Sequence, residues 1–333
     1  LIPSFILAEA ISQSGATSTD GDVATAIAPL AGAAMVCPDT AYAALSPMSH
    51  GRKLSVLFGS YAGFKLLIPA GPAIVAATLG GLSATLIVWS VVAFLFCWLT
   101  GILFARHYEK GNLTNARKGK MPSMAITVPL AILVGFIVIG GIIAWRDLSL
   151  SSSLTFLFSP KGALITAAAA SLLFIDKSKY TLAFQSGINR TAPLLLIIGS
   201  ASALGAILVA VLPFEQLAQS LVATGLVIPA LFLLTAFFKI AKGSSMATFA
   251  GTSGLVVALL PNLNVSVEAA TLAMCAGAFV TIAPNDSLYW LVRQDAFSES
   301  EGQRATWILG LGATLQGITA LVVVQLAVLF GFL

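Results

Sequence analysis

Uncharged stretches as long as a bilayer is thick recur along this chain of 333 residues, and few folds can hold them. A helix needs about 20 apolar residues to cross the hydrocarbon core of a membrane. No Asp, Glu, Lys or Arg occurs in 66–105, 121–145, 191–214, 216–238, 243–267 or 305–333, and a shorter such run covers 162–175. The first is long enough for two passes, with Gly80-Gly81 as its natural break. In lipid every backbone polar group must be satisfied within the structure, so runs of this length read as helices. Composition agrees: 58% of residues are hydrophobic and 9% charged, against about 25% charged in a soluble domain. The expectation is an all-α, polytopic transmembrane protein. It forms one transmembrane domain over 1–333, with about nine or ten membrane segments.

Positive charges orient the spans. Arg106, Lys110, Arg117, Lys118 and Lys120 crowd one loop, which the positive-inside rule makes cytoplasmic. Alternation then places 146–159, 213–225 and 261–268 outside, and 177–190, 239–242 and 293–304 inside. Each of these inside loops carries at least two Lys or Arg, and the outside loops hold one in total. Lys239 and Lys242 read as inside anchors, and the five tryptophans as belt or packing residues. Residues 1–16 read as the tail of a helix rather than a signal peptide, because a basic leader and a cleavage site are missing.

Several function classes fall away. The net charge of +4 sits in loops at one membrane face, without the basic, aromatic-interleaved soluble patch of a nucleic-acid binder. Cys37, Cys97 and Cys275 are isolated in apolar segments, and His50 and His107 lie far apart, so neither a disulfide framework nor a metal site is expected. An embedded enzyme needs a nucleophile–base pair or a metal cluster, and no Ser/His or HExxH arrangement occurs. No cofactor is expected.

Pro284-Asn285-Asp286-Ser287 interrupts the apolar stretch 269–292. A carboxylate at membrane depth costs about 2.5–3.5 kcal/mol even on the lenient scale, so it belongs beside a cavity or a ligand. Pro284 removes a helical hydrogen bond, and broken helices survive in a bilayer only where they are buried or line a wet path. A second irregular region, 23–77, is punctuated by Pro29, Pro38, Pro47, Pro69 and Gly71-Pro72, which predicts re-entrant or unwound segments. Its Pro38-Asp39-Thr40 echoes Pro284 to Ser287, as the paired broken helices of an inverted repeat do. Asp286 reads either as a functional carboxylate or as a structural one, paired with Lys239 or capping a half-helix. Asp39 reads either as its counterpart or as a surface residue.

A third segment, Lys242-Gly243-Ser244-Ser245-Met246-Ala247-Thr248, opens an uncharged run with small and hydroxylated residues. Such residues let helices pack closely, and a Gly-Ser-Ser turn also offers free N–H groups and a positive dipole end to a carboxylate. Both readings stay open.

Taken together, the run from Lys239 to Thr248 and the later Thr281-Ile282-Ala283-Pro284-Asn285-Asp286-Ser287-Leu288-Tyr289 resemble the C-terminal signature of the gluconate permease (GntP-type) family. Ile197-Ile198-Gly199-Ser200 is similar to that family's upstream Gly-rich segment, and Ala62-Gly63-Phe64 through Pro69-Ala70-Gly71-Pro72 to its first-half loop. The resemblance spans about residues 30–333. It implies a bacterial inner-membrane symporter that moves gluconate or a related sugar acid with protons. It also implies helices ahead of residue 1, so the chain reads as N-terminally truncated. Where the family has histidines, this chain has Lys65-Leu66-Leu67-Ile68; Lys65 either meets a carboxylate or snorkels to the interface.

The implied site divides by chemistry. Gly243, Ser244, Ser245 and Thr248 would meet the carboxylate; Asn285, Ser287, Thr40 and the Gly71-Pro72 backbone would meet the hydroxyls. A carboxyl in a desolvated cavity can exchange protons near neutral pH, which makes Asp286 and Asp39 the proton-coupling candidates. The partners are a gluconate-like carboxylate, protons and lipid, with a homo-oligomer left open. A sodium-coupled carboxylate carrier of the same superfamily and a passive anion channel are the alternatives.

Overall fold

The computed structural model of the chain describes residues 2–14, 21–46, 49, 51–109, 124–145, 151–189, 192 and 223–333. Pro47, His50, Lys110, Arg117, Lys118, Lys120 and the segment around Gly199-Ser200 lie outside the described residues.

Helices account for the architecture. They are α1 (Ile2–Gln13), α2 (Gly21–Ala34), α3 (Pro38–Leu45), α4 (Lys53–Leu66), α5 (Gly71–Leu79), α6 (Ala84–Glu109), α7 (Met124–Trp145), α8 (Ser152–Leu157) and α9 (Pro160–Leu172). Residues 180–189 form α10. The chain continues with α11 (Val227–Lys242), α12 (Ser245–Leu259), α13 (Val267–Gly277), α14 (Ser287–Ala296) and α15 (Gly302–Leu329). Among the described residues, three stretches are long and apolar enough to cross a membrane: Lys53–Leu79, Ala84–Glu109 and Glu299–Leu329.

The order of elements occurs twice. α2 to α6 run as a helix pair with a short break, a second broken helix and one long helix; α11 to α15 repeat that order. Contacts are reciprocal. α2 packs on α4 as α11 packs on α13, and α4 on α6 as α13 on α15. Between the repeats, α3 meets α14 and α5 meets α12.

The counterparts α6 and α15 lie antiparallel at the centre. Trp89 stacks near Phe332 with ring centroids 5.6 Å apart, Thr100 and Thr319 hydroxyls are 3.1 Å apart, and Tyr108 and Glu109 share a cavity wall with Arg304. Corresponding helices therefore cross in opposite senses, which is an inverted repeat. Gln316 ties the centre together, donating from Nε2 to the Phe58 and Cys97 carbonyls at 3.1 Å each.

Each helix pair is a hairpin that enters and leaves on one face. Asp22 at the start of α2 pairs with Arg52, and Tyr42 and Ser46 at the end of α3 donate to Asp295, which also accepts from Lys53 at 2.7 Å. All these groups lie on the Lys53 face. On the opposite face, Ser83 donates to Glu268 at 2.7 Å beside the turn joining α12 to α13. α11 descends beside α13, with the Phe232 carbonyl against Gly277, then turns at Gly243 and returns as α12. The expected inside loop at Lys239 and Lys242 is thus corrected: it is the tip of a re-entrant hairpin that stops beside the break in α13–α14. Small residues allow this packing. A Cβ on Gly63 would sit 1.9 Å from the Pro29 carbonyl oxygen, so α2 and α4 touch backbone to backbone.

Candidate functional site

Four interruptions, at 35–37, 67–70, 243–244 and 278–286, meet between the two repeats. The one at 243–244 shows why the sequence breaks where it does. Gly243 has φ of 72°, a conformation glycine adopts without steric penalty and one that ends helices. Its amide still closes the last turn of α11 on the Lys239 carbonyl at 2.8 Å. Ser244 then caps α12, its hydroxyl accepting from the Ala247 amide at 3.4 Å. A Cβ on Gly243 would lie 2.1 Å from the Asn285 carbonyl oxygen. The two broken segments are therefore in direct backbone contact.

Asp286 caps α14, accepting from the Leu288 amide at 3.1 Å, and pairs with Lys239 at 2.5 Å. Both side chains are buried. Lys239 also donates to the Gly243 carbonyl, so one ammonium holds the hairpin tip and the cap of α14 together. Asn285 donates to the Ile240 carbonyl at 2.7 Å, and Trp290 to the Pro284 carbonyl at 2.8 Å. From the other repeat, Asp39 on the first turn of α3 accepts a hydrogen bond from the Ser287 hydroxyl.

A second ammonium is buried nearby. Lys65 ends α4 with no exposed surface, donates to the Ser245 hydroxyl and to the Ala278 carbonyl at 2.5 Å, and stands 4.5 Å from the centre of the Tyr61 ring. Snorkelling is thus overturned. Burying an unpaired cation is costly, and here oxygens and aromatic faces surround it. Lys65 also approaches the rings of Phe64, Phe249 and Phe279.

The residues singled out by sequence divide accordingly. Gly243, Ser244, Ser245, Asn285, Asp286, Ser287 and Asp39 are brought together, with Ser244, Asn285 and Ser287 exposed at the surface of the cluster and Asp39 and Thr40 half-buried beside them. Thr248 is buried and donates to the Ser244 carbonyl at 2.8 Å, within its own helix. Gly71 and Pro72 are buried behind Lys65, where a Cβ on Gly71 would lie 2.5 Å from the Lys65 carbonyl oxygen. They shape the break in α4–α5 and no contact joins them to Asn285 or Ser287 in this structure. Of the two sequence readings of Lys239, membrane anchor or partner of Asp286, the structure shows the pairing, and Asp286 caps a half-helix as well. Among the described residues no three His, Cys, Asp or Glu side chains gather as a metal centre.

On the Lys53 face, Asp295 joins the repeats. Burial pushes its carboxyl up, but hydrogen bonds from Lys53, Ser46 and Tyr42 outweigh burial and hold it below the usual carboxylate range. A cavity of about 320 Å³ opens there, lined by Lys53, Glu109, Asp295 and Arg304. Sequence reasoning missed this cluster, because its members are some 250 residues apart.

The fold is similar to that of the crystal structure of the YdaH transporter of Alcanivorax borkumensis, with a TM-score of 0.53 and 14% identity over 99% of this chain and 85% of that one. No curated protein matches the chain in sequence. Residues 53–330 match the sequence profile described as GntP family permease. A helical fold with paired breaks and a polar cluster between inverted repeats is the form of a secondary transporter, and the chain belongs to the GntP permease family.

Proposed function

We propose that the protein imports gluconate or a related sugar acid by proton symport, as a multi-pass protein of a bacterial inner membrane. One observation carries this reading. The N-termini of α12 and α14 and the ammonium of Lys239 converge beside the exposed polar groups of Ser244, Asn285 and Ser287. Half-helix N-termini attract anionic substrate groups in transporters of this kind. An aldonate offers a carboxylate to that positive end and a row of hydroxyls to neutral partners. The amides at Ser244 and Ser245 suit the carboxylate; Asn285, Ser287 and Thr40 suit the hydroxyls. Thr248, Gly71 and Pro72 support this shell from behind.

For the proton, Asp39 is better placed than Asp286. Its carboxylate faces the half-open cluster through Ser287, whereas Asp286 is occupied by Lys239 and by the cap of α14. Protonating Asp39 removes a charge that repels an anion, so proton and substrate load together.

Uptake of labelled gluconate into proteoliposomes tests the proposal. An inward proton gradient, with sodium absent, is expected to drive accumulation, and Asp39→Asn to abolish the accumulation. Uptake that needs sodium would favour a sodium-coupled carboxylate carrier. Equilibration without accumulation under any gradient would indicate a channel.

A further inference from the structure

We propose that the ammonium of Lys65 is a built-in monovalent cation. It fills a site formed by the Ser245 hydroxyl, the Ala278 carbonyl and Tyr61 that a sodium ion would otherwise occupy, so that transport runs without sodium.

The ligand set is that of an ion rather than of a salt bridge. The hydrogen bonds of Lys65 go to two neutral oxygens, Ser245 Oγ and Ala278 O, and its third side faces the Tyr61 ring. Ala278 closes α13, so its carbonyl belongs to the negative end of a half-helix. The Tyr61 hydroxyl stands 3.5 Å from both the Ala278 and Phe279 carbonyl oxygens. A serine hydroxyl and an unwound carbonyl thus face one buried point, with the Tyr61 ring against it. Unwound carbonyls and half-helix C-termini are what coordinate sodium in transporters with broken helices.

Asp286 on α14 and Asp39 on α3 attract the Lys65 ammonium, while Lys239 on α11 repels it. Asp286 is taken by Lys239, and Asp39 by Ser287. On this proposal Lys65 supplies one positive charge to a site whose carboxylates are engaged elsewhere. A sodium ion there would supply the same charge to the same oxygens. The two cannot coexist, because the lysine Nζ already occupies the point.

The proposal rests on the transporter reading for its consequence, yet its test needs no substrate. Thermal unfolding of the purified full chain in detergent would be followed while N-methylglucamine chloride is replaced by sodium chloride at constant ionic strength. The wild-type midpoint is expected to stay constant. Lys65→Ala, which vacates the point and keeps the oxygens, is expected to show a saturable upward shift with sodium and none with potassium, as ligand binding to the folded state requires. Adding Ser245→Ala to that variant is expected to remove the shift. A saturable sodium-specific shift in the wild type overturns the proposal, and so does a folded Lys65→Ala protein indifferent to sodium. If Lys65→Ala does not fold, Lys65→Ser takes its place; a variant that folds only when sodium is supplied supports the proposal, and variants that sodium does not rescue overturn it. Failure of gluconate uptake would sink the sugar-acid reading and leave this titration unchanged.

Discussion

Lys239 and Asp286 sit 2.5 Å apart with almost no exposure, and each does a second task in the backbone around it. Removing one partner of a buried pair leaves an uncompensated charge and costs about 3–5 kcal/mol, whereas replacing both with apolar residues is often neutral. Lys239→Met is therefore expected to lose about that much stability, and Lys239→Met with Asp286→Leu to recover most of it, as measured by unfolding in detergent. Equal losses in the single and double variants would show that the pair is not what holds the hairpin tip. The sequence carried one half of this pair clearly, since a carboxylate in an apolar run demands a reason. Lys239 was legible as one of two alternatives, the partner of Asp286 or an interfacial anchor, and only its burial against Asp286 separates the two meanings.

At the scale of elements, the hairpin α2–α3 is clasped to α14 by Asp295, which takes hydrogen bonds from Tyr42 at 2.8 Å, from Ser46, and from Lys53 at 2.7 Å. Because its carboxyl is held below the usual range, the clasp contributes above the ordinary carboxylate value and is lost only as pH falls through the lowered folded value. It is thus closed through neutral and mildly acid conditions. Asp295→Ala is expected to free α3 and to speed maleimide labelling of half-buried Cys37 severalfold, while buried Cys97 and Cys275 stay unlabelled. Unchanged Cys37 kinetics would mean that the hairpin does not depend on this clasp. The echo between Pro38-Asp39-Thr40 and Pro284 to Ser287 acquires a different sense at this scale. The repeat pairs α3 with α12 and α5 with α14, so the two motifs are not counterparts. They are neighbours, joined by Ser287 and Asp39.

Across the whole molecule, the antiparallel α6 and α15 form a frame, the broken helices pack on it, and the hairpins pack on the broken helices. Stability is spread unevenly in such an arrangement, with interrupted segments at the low end. Hydrogen exchange in detergent is expected to be slowest in 84–109 and 302–329 and fastest at 35–46 and 243–248; uniform protection would contradict a rigid frame with mobile tips. The sequence by itself determined the solvent, the helical class, the break at Gly80-Gly81 and the segments that would be interrupted, because lipid forbids unsatisfied backbone and Pro, Gly and buried charge are each visible residue by residue. It also carried the family, through motifs that lie close together in the chain. Only the tertiary structure decided that 227–259 is a hairpin rather than two passes, that Lys65 and Lys239 are interior, and that Asp39 meets Ser287. Those facts turn on which helices pack together across some 47–248 residues of chain, and an uncharged run reads the same whether it crosses a bilayer or turns back inside one.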